Sequence, residues 1–335
     1  MASSSDIAQA PPPSGACADA SAAAPSQPAS HHRWRSLLID FILAVFHAVE
    51  NGFPRHGKSG KRLIQGGWTD TVCPGIAPMA EAEILIDVEN LTRRFPRCEA
   101  LGGISFQIRR GERVGVLGPN GSGKTTTLRI LATVLAATSG RVWVAGFDAL
   151  AQSLEVRRRI GYLPENVPLY PEMRVEEFLA FRGRIKGLRG TRLAARLREV
   201  VEQCGLGDCA KRPLGTLSRG FRQRTGLADC LLHEPDVLLL DEPLAGLDLA
   251  QVHALRQLLR ETGGHRTVLF STHVLAEAEA LCPRVLILNA GRLAAADSPA
   301  NLIQASGAAG FEETFLRLTT LPPKVQNPPA RRNGA

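Results

Sequence analysis

No stretch of this 335-residue chain approaches the roughly 20 consecutive apolar residues that a bilayer-spanning helix needs, which excludes a multi-span membrane protein. No CxxC pair occurs among Cys17, Cys73, Cys98, Cys204, Cys209, Cys230 and Cys282; their number is odd, and no histidine cluster accompanies them. That absence argues against a zinc site or a disulfide framework and suits a reducing cytosol. A large excess of one charge sign is also missing. Forty Lys and Arg against 32 Asp and Glu leave a net charge of +8, which reads first as a solvated surface and second as attraction to anionic lipid or nucleic acid. With 44% apolar and 21% charged residues the composition excludes collagen, coiled-coil rods and a wholly disordered chain, and the length allows one large domain or two smaller ones.

What is present divides unevenly. Residues 1–80 read as a disordered, low-complexity extension of Ala, Ser, Pro and Gly, too poor in large apolar groups to offset chain entropy. It is interrupted by one short apolar helix over about 37–49, preceded by His31, His32, Arg33 and Arg35. That run is too short to span a bilayer, and Asp40 and His47 interrupt it; it reads first as a helix without a dedicated role, then as an interfacial or partner-binding amphipathic helix, and last as a targeting segment. Two readings of the extension follow: translation from Met79, or an appendage whose helix touches a membrane or a partner. The folded body is expected over 83–318 and a disordered tail over 319–335. Strands are expected at Ile84–Val88, Ile104–Ile108, Val114–Leu117, Val142–Val144, Val237–Asp241, Val268–Ser271 and Val285–Leu288. Helices are expected at Lys124–Ala136, Val175–Lys186, Thr191–Cys204, Asp248–Glu261 and Val274–Ala280. Continuous apolar strands alternating with helices predict an α/β fold with a buried, mostly parallel sheet; the earlier, alternating strands predict an antiparallel β layer beside it. The almost wholly helical stretch of about 170–230 predicts an inserted helical subdomain.

Two motifs carry chemistry. Gly118, Pro119, Asn120, Gly121, Ser122, Gly123, Lys124 and Thr125 match GxxxxGK[ST], between a predicted strand and a helix that continues with Thr126. In that context glycines let backbone N–H groups converge on phosphate oxygens at a helix N-terminus. Lys124 reaches the β- and γ-phosphates, and the Thr125 hydroxyl suits Mg²⁺. The run Val237–Asp241 followed by Glu242 places two carboxylates at the carboxyl edge of a parallel strand, where ligands bind in such sheets. Asp241 suits Mg²⁺, and Glu242 suits polarisation of an attacking water.

With these motifs in place, the chain resembles the ATP-binding subunits of ABC transporters. Leu217, Ser218, Arg219, Gly220 and Phe221 stand where that family has its LSGGQ signature. Ala245, Gly246, Leu247 and Asp248 resemble its D-loop, Ser271, Thr272 and His273 its histidine switch, and Gly161 to Glu165 its Q-loop. Phe95 stands at the family's adenine-stacking aromatic. The resemblance implies a P-loop NTPase fold of the ABC ATPase kind and an Mg²⁺-dependent ATP hydrolase. It implies ATP held by Phe95 and residues 118–126, with Ser218, Gly220 and Asp248 completing the site across a homodimer or heterodimer. It further implies Mg²⁺ near Thr125, Glu165 and Asp241, and catalysis by Lys124, Glu242 and His273. A separate integral membrane permease is the implied partner, with export the implied direction and the cytoplasmic face of the cell membrane the implied location; no nucleic-acid partner is expected.

The chain departs from the family at four places: Glu165 for Gln, Arg219 for Gly, Phe221 for Gln and Ala245 for Ser. Similar Glu and signature substitutions occur in the exporter-like subgroup whose permease is a separate chain, which the run Tyr162–Tyr170 and the late stretch Phe311–Thr319 also resemble. The alternative is a soluble ABC ATPase acting on DNA or ribosomes. The short interval between Lys124 and Asp241 leaves no room for the coiled coils of DNA-repair members, and one ATPase body per chain differs from translation-type members. A regulatory module without turnover is disfavoured by the presence of both Glu242 and His273.

Overall fold

The computed structural model describes residues 83–262 and 266–320, all within the unit Ala77–Ala335. The expected extension over 1–80, its helix over 37–49 and the chain beyond Thr320 lie outside the described residues. The chain begins with a hairpin, β1 (Ile84–Phe95) antiparallel to β2 (Cys98–Arg109). Strand β3 (Arg113–Leu117) leaves for a second sheet and is followed by helix α1 (Lys124–Leu131). Strand β4 (Ser139–Val144) and the short β5 (Phe147–Asp148) return to the first sheet, whose order is β2-β1-β4-β5. Helix α2 (Ser153–Arg159) leads into β6 (Ile160–Leu163), after which come three helices, α3 (Val175–Ile185), α4 (Gly190–Gln203) and α5 (Arg219–Leu231). Then strands and helices alternate: β7 (Val237–Asp241), α6 (Leu249–Thr262), β8 (Thr267–Thr272), α7 (Leu275–Leu281) and β9 (Arg284–Asn289). An antiparallel edge strand β10 (Arg292–Asp297) and helices α8 (Pro299–Ser306) and α9 (Phe311–Thr320) close the described chain. The second sheet has the order β10-β9-β3-β8-β7-β6, parallel except for β10.

The reason for the continuous apolar runs is visible in the packing. Val237 and Leu239 of β7 face one core, together with Ile86, Leu101 and Ile108 of the antiparallel layer and Leu128 and Leu131 of α1. Leu238 and Leu240 face the other, with Phe178, Val200 and Leu227 of the helices. Strand β9 divides the same way, Leu286 and Leu288 to the first core and Val285 and Ile287 to the second. A sheet covered on both faces has no solvent side, so its strands lose the alternation that half-buried strands show.

The sequence-based element boundaries differ from the structure in instructive places. Helix α1 stops at Leu131 rather than running to Ala136, because Thr133 adopts φ 57° and the Val134 N–H turns back to Arg129 O at 2.9 Å. Arg157 holds that turn from outside, donating to Thr133 Oγ1 at 2.7 Å and to Thr133 O at 3.0 Å. Strand β1 continues through a polar stretch to Phe95, its alternation broken by register shifts around Asn90, whose φ is 51°. Helix α9 passes the expected boundary at 318 and ends at Thr320, with Asn289 Nδ2 donating to Thr319 O at 2.9 Å.

The helices over 175–231 are tied to the sheet by polar groups as well as by apolar packing. Asp229 of α5 pairs with Arg182 and Lys186 of α3, each at 2.9 Å. Burial pushes the Asp229 carboxyl up, but the two cations outweigh it and hold its pKa below the ordinary value. Buried Arg196 of α4 donates to Leu231 O at 2.8 Å and Leu232 O at 3.1 Å, satisfying carbonyls at the end of α5. The next residue, His233, places Nε2 2.8 Å from Ile160 O at the start of β6, and burial pushes its pKa down to about 4, with Lys186 adding to the effect.

A neutral, half-buried imidazole ties stability to pH with a definite sign. The folded pKa of His233 lies below the unfolded value of about 6.5, so its contribution is complete above that pH and is lost as pH falls towards 4. The loss should reach at most about 3 kcal/mol. Urea unfolding of the full chain between pH 5 and 7 should show a steeper fall for wild type than for His233→Gln, which keeps a donor for Ile160 O but cannot titrate. Equal slopes would contradict a neutral, half-buried His233.

Candidate functional site

The site forms where three neighbouring parallel strands end in register. Leu117 of β3 lies beside Thr272 of β8, and Ser271 beside Asp241 of β7. The residues that follow, Gly118, His273 and Glu242, therefore leave the sheet at one carboxyl edge. Gly118 cannot carry a side chain: a Cβ there would lie 2.3 Å from Leu288 O and 2.4 Å from Ser122 Oγ, and its φ is 154°. Gly123, at φ 105°, turns the loop into α1 against the Leu101 side chain and Ala100 O of β2. The Gly291 N–H donates to Ser122 O at 3.1 Å and fixes the loop from beneath. Helix α1 has no side-chain cap and no acidic residue in its first turn, so the amides of Lys124, Thr125 and Thr126 keep their positive end for an anion.

Lys124 is buried, 7% exposed, and its Nζ donates to Gly118 O at 2.8 Å and Pro119 O at 3.2 Å. Burial lowers its pKa; the charges of Glu242, Asp241 and Glu165 oppose that shift. The ammonium thus sits inside the loop, within the field of all three carboxylates identified from sequence. Pro119, Asn120 and Gly121 form the exposed rim.

Asp241 is the hub. Its Oδ1 accepts from Thr125 Oγ1 at 3.0 Å and from Ser271 Oγ at 2.7 Å, whereas Oδ2 is buried without a hydrogen-bond partner. Ser271 Oγ also accepts the Glu242 N–H at 2.9 Å. That bond holds Glu242 in a left-handed conformation, φ 47°, which is unusual for a residue with a side chain. Glu242 Oε2 meets His273 Nδ1 at 2.9 Å; the ionised carboxylate only accepts, so Nδ1 carries the proton and Nε2 is left for another partner. Thr272 Oγ1 accepts the Val274 N–H and donates to Glu277 Oε2, whose pKa burial raises, fixing the turn that carries His273.

An unpartnered carboxylate oxygen beside the Thr125 hydroxyl and facing a phosphate loop is the donor set a hard, oxygen-seeking cation requires. The residues present therefore fit Mg²⁺. Glu165, exposed just after β6, lies close enough to act on Lys124 electrostatically but makes no hydrogen bond to the loop among the described residues.

The remaining sequence-derived residues sit on other elements. Phe95 ends β1, 38% exposed, in the hairpin whose second strand abuts Gly123. Ser218 caps α5, accepting the Phe221 N–H at 3.4 Å. Gly220 is buried beneath the Gln251 carboxamide, Arg219 lies against Gly246, and Asp248 Oδ1 accepts the Gln251 N–H at 2.8 Å. Among the described residues no hydrogen bond joins Ser218, Gly220 or Asp248 to the phosphate loop. Gln251 of α6 links Gly220 to Asp248, and Arg219 meets the turn after β7 at Gly246. Sequence reasoning placed Ser271 only as the first residue of the histidine-switch stretch, because the pairing of β7 with β8 is what brings its hydroxyl to both carboxylate-bearing residues.

A buried lysine in a glycine loop, at the carboxyl edge of a parallel sheet and opposite a strand-end aspartate, defines a P-loop nucleoside triphosphatase. Residues 101–245 match the model of the ABC transporter family. YxlF, an uncharacterized ABC transporter ATP-binding protein of Bacillus subtilis (strain 168), is 41% identical over 209 residues, covering 62% of this chain and 69% of its own length. The Nod factor export ATP-binding protein I of Ralstonia nicotianae is 36% identical over 220 residues, covering 65% of this chain and 68% of its own. Among solved structures, the dimeric ATP-binding cassette MJ0796 in a post-hydrolysis state bound to ADP and Pi superposes with a TM-score of 0.59 at 25% identity, covering 64% of this chain and 98% of that one. The chain belongs to the family of ABC transporter ATP-binding proteins. It is an ATP-binding, ATP-hydrolysing transporter subunit.

The shared hydroxyl yields the second prediction. Ser271→Ala leaves Asp241 with one fewer donor and frees the Glu242 N–H, so kcat for ATP should fall about ten- to hundredfold. KM should change far less, since the phosphate loop is untouched. Steady-state ATPase assays check this; an unchanged kcat would remove Ser271 from the catalytic arrangement.

Proposed function

We propose that the chain holds ATP on residues 118–126, with the adenine on Phe95, and hydrolyses it only when a second ATPase subunit closes over it. The supporting observation is how the machinery is bonded. Lys124, Asp241, Glu242 and His273 converge at one carboxyl edge of the sheet, whereas among the described residues no hydrogen bond joins Ser218, Gly220 or Asp248 to them. Ser218 supplies a hydroxyl and Gly220 a backbone N–H at a helix N-terminus, groups suited to the γ-phosphate held by the opposite subunit. Lys124, now donating to loop carbonyls, exchanges them for β- and γ-phosphate oxygens. Thr125, Asp241 and Glu165 are the residues that would hold Mg²⁺, which when bound offsets the phosphate charge. Glu242 polarises the attacking water, and His273 keeps the carboxylate oriented by its Nδ1–H while Nε2 is available to the γ-phosphate.

Closure and reopening of the dimer drive a permease on a separate chain at the cytoplasmic face of the membrane. Among the described residues no helix is long and apolar enough to cross a bilayer. Export is the direction we infer, on the likeness to a Nod factor export protein. Removing the negative charge of Glu242 tests the core of this reading. Glu242→Gln should bind Mg-ATP, lose turnover by at least about a hundredfold, and sediment as a dimer that wild type forms only transiently. A variant that turns over at the wild-type rate would remove Glu242 as the group acting on water.

A further inference from the structure

We propose that Arg93 is a positioning residue for the base of the nucleotide, acting through Phe95; the inference rests on the reading that Phe95 stacks on adenine. Arg93 and Phe95 are two positions apart on β1, and across the register shift between Arg93 and Arg94 their side chains still meet. The Arg93 guanidinium carbon lies 4.5 Å from the centroid of the Phe95 ring, within cation–π range. Nη1 donates to Ala136 O at 3.0 Å, and Nε is buried with no hydrogen-bond partner. No carboxylate pairs with Arg93 among the described residues, whereas its neighbour Arg94 is engaged by Glu99 at 2.9 Å. One carbonyl and one ring face are what the Arg93 charge has.

The arrangement has two consequences. A partly exposed phenylalanine at a strand end would otherwise lose rotational freedom when a base stacks on it, and that ordering opposes binding. Arg93 orders the ring in advance and covers one face, leaving the other as the stacking surface. The bond to Ala136 O, in the connection between α1 and β4, also ties the base platform to the far end of the helix that begins at the phosphate loop. Arg93 therefore acts on the base and not on the phosphates.

Two ligands that are not hydrolysed by this chemistry separate the possibilities: Mg-ADP, which has a base, and Mg-pyrophosphate, which has none. Calorimetric titration of the full chain should show ADP bound about two- to fivefold more weakly by Arg93→Ala than by wild type. Pyrophosphate affinity should be unchanged, which also reports that the variant is folded. Arg93→Lys should recover part of the loss, because the cation survives but the planar fork does not. In a Phe95→Ala background, Arg93→Ala should have no further effect. Unchanged ADP affinity in Arg93→Ala would overturn the proposal, as would tighter ADP binding, which would mean the guanidinium competes with the base for the ring. Equal weakening of ADP and pyrophosphate would overturn it by placing Arg93 on the phosphates. Should Phe95→Ala itself bind ADP as wild type does, the stacking reading fails first.

Discussion

The Asp241 carboxylate is the constraint on which the rest of the site depends. It is 1% exposed, yet it is a charge, and a buried carboxylate persists only when donors or a cation satisfy it. One oxygen is satisfied by Thr125 from the phosphate-loop helix and Ser271 from the adjacent strand. The other has no hydrogen-bond partner among the described residues. A buried carboxylate with one oxygen paired and the other unpaired suits a cation that completes it. Because its two donors come from different elements, the same carboxylate locks α1, β7 and β8 into one register. Through Ser271 that register reaches Glu242 and, through Glu242, His273.

Such a hub can exist only because the strands beneath it cannot slide. Each of β3, β7, β8 and β9 sends alternate side chains into two separate cores, so a slip of one residue would exchange every pair of faces. The antiparallel layer and the helices are, in this respect, the two clamps of the sheet. Arg196 and His233 extend the clamp to the polar backbone at the end of α5, just ahead of the strand that carries Asp241. The unusual backbone of Glu242 sits at the end of this rigid series, where the surroundings can hold it.

Much of this was legible in the sequence because the informative residues are local in the chain. The phosphate loop is one contiguous run whose glycines are dictated by backbone approach, and the apolar run before Asp241 reports a strand buried on both faces. The two-sheet architecture follows from the change from alternating to continuous apolar strands. What the sequence withheld depends on pairing across the chain. Ser271 acquires its role from the neighbour of its strand, Arg93 from the ring two positions on and a carbonyl beyond α1, and β6 is too short to stand out from the loop that follows it. The end of α1 was misplaced because Thr133 is held in its left-handed turn by Arg157, a residue with no sequence relation to the helix. For Ser218, Gly220 and Asp248, resemblance named the residues, and among the described residues no hydrogen bond joins them to the phosphate loop.

In the function proposed for this chain, the ATPase site is complete only between two subunits. The most direct test is turnover per chain of the wild-type protein in saturating Mg-ATP, measured across a wide range of protein concentration. A composite site predicts that turnover per chain rises with concentration and reaches a plateau as dimers form. Constant turnover per chain, in a protein that sediments as a monomer throughout, would contradict it.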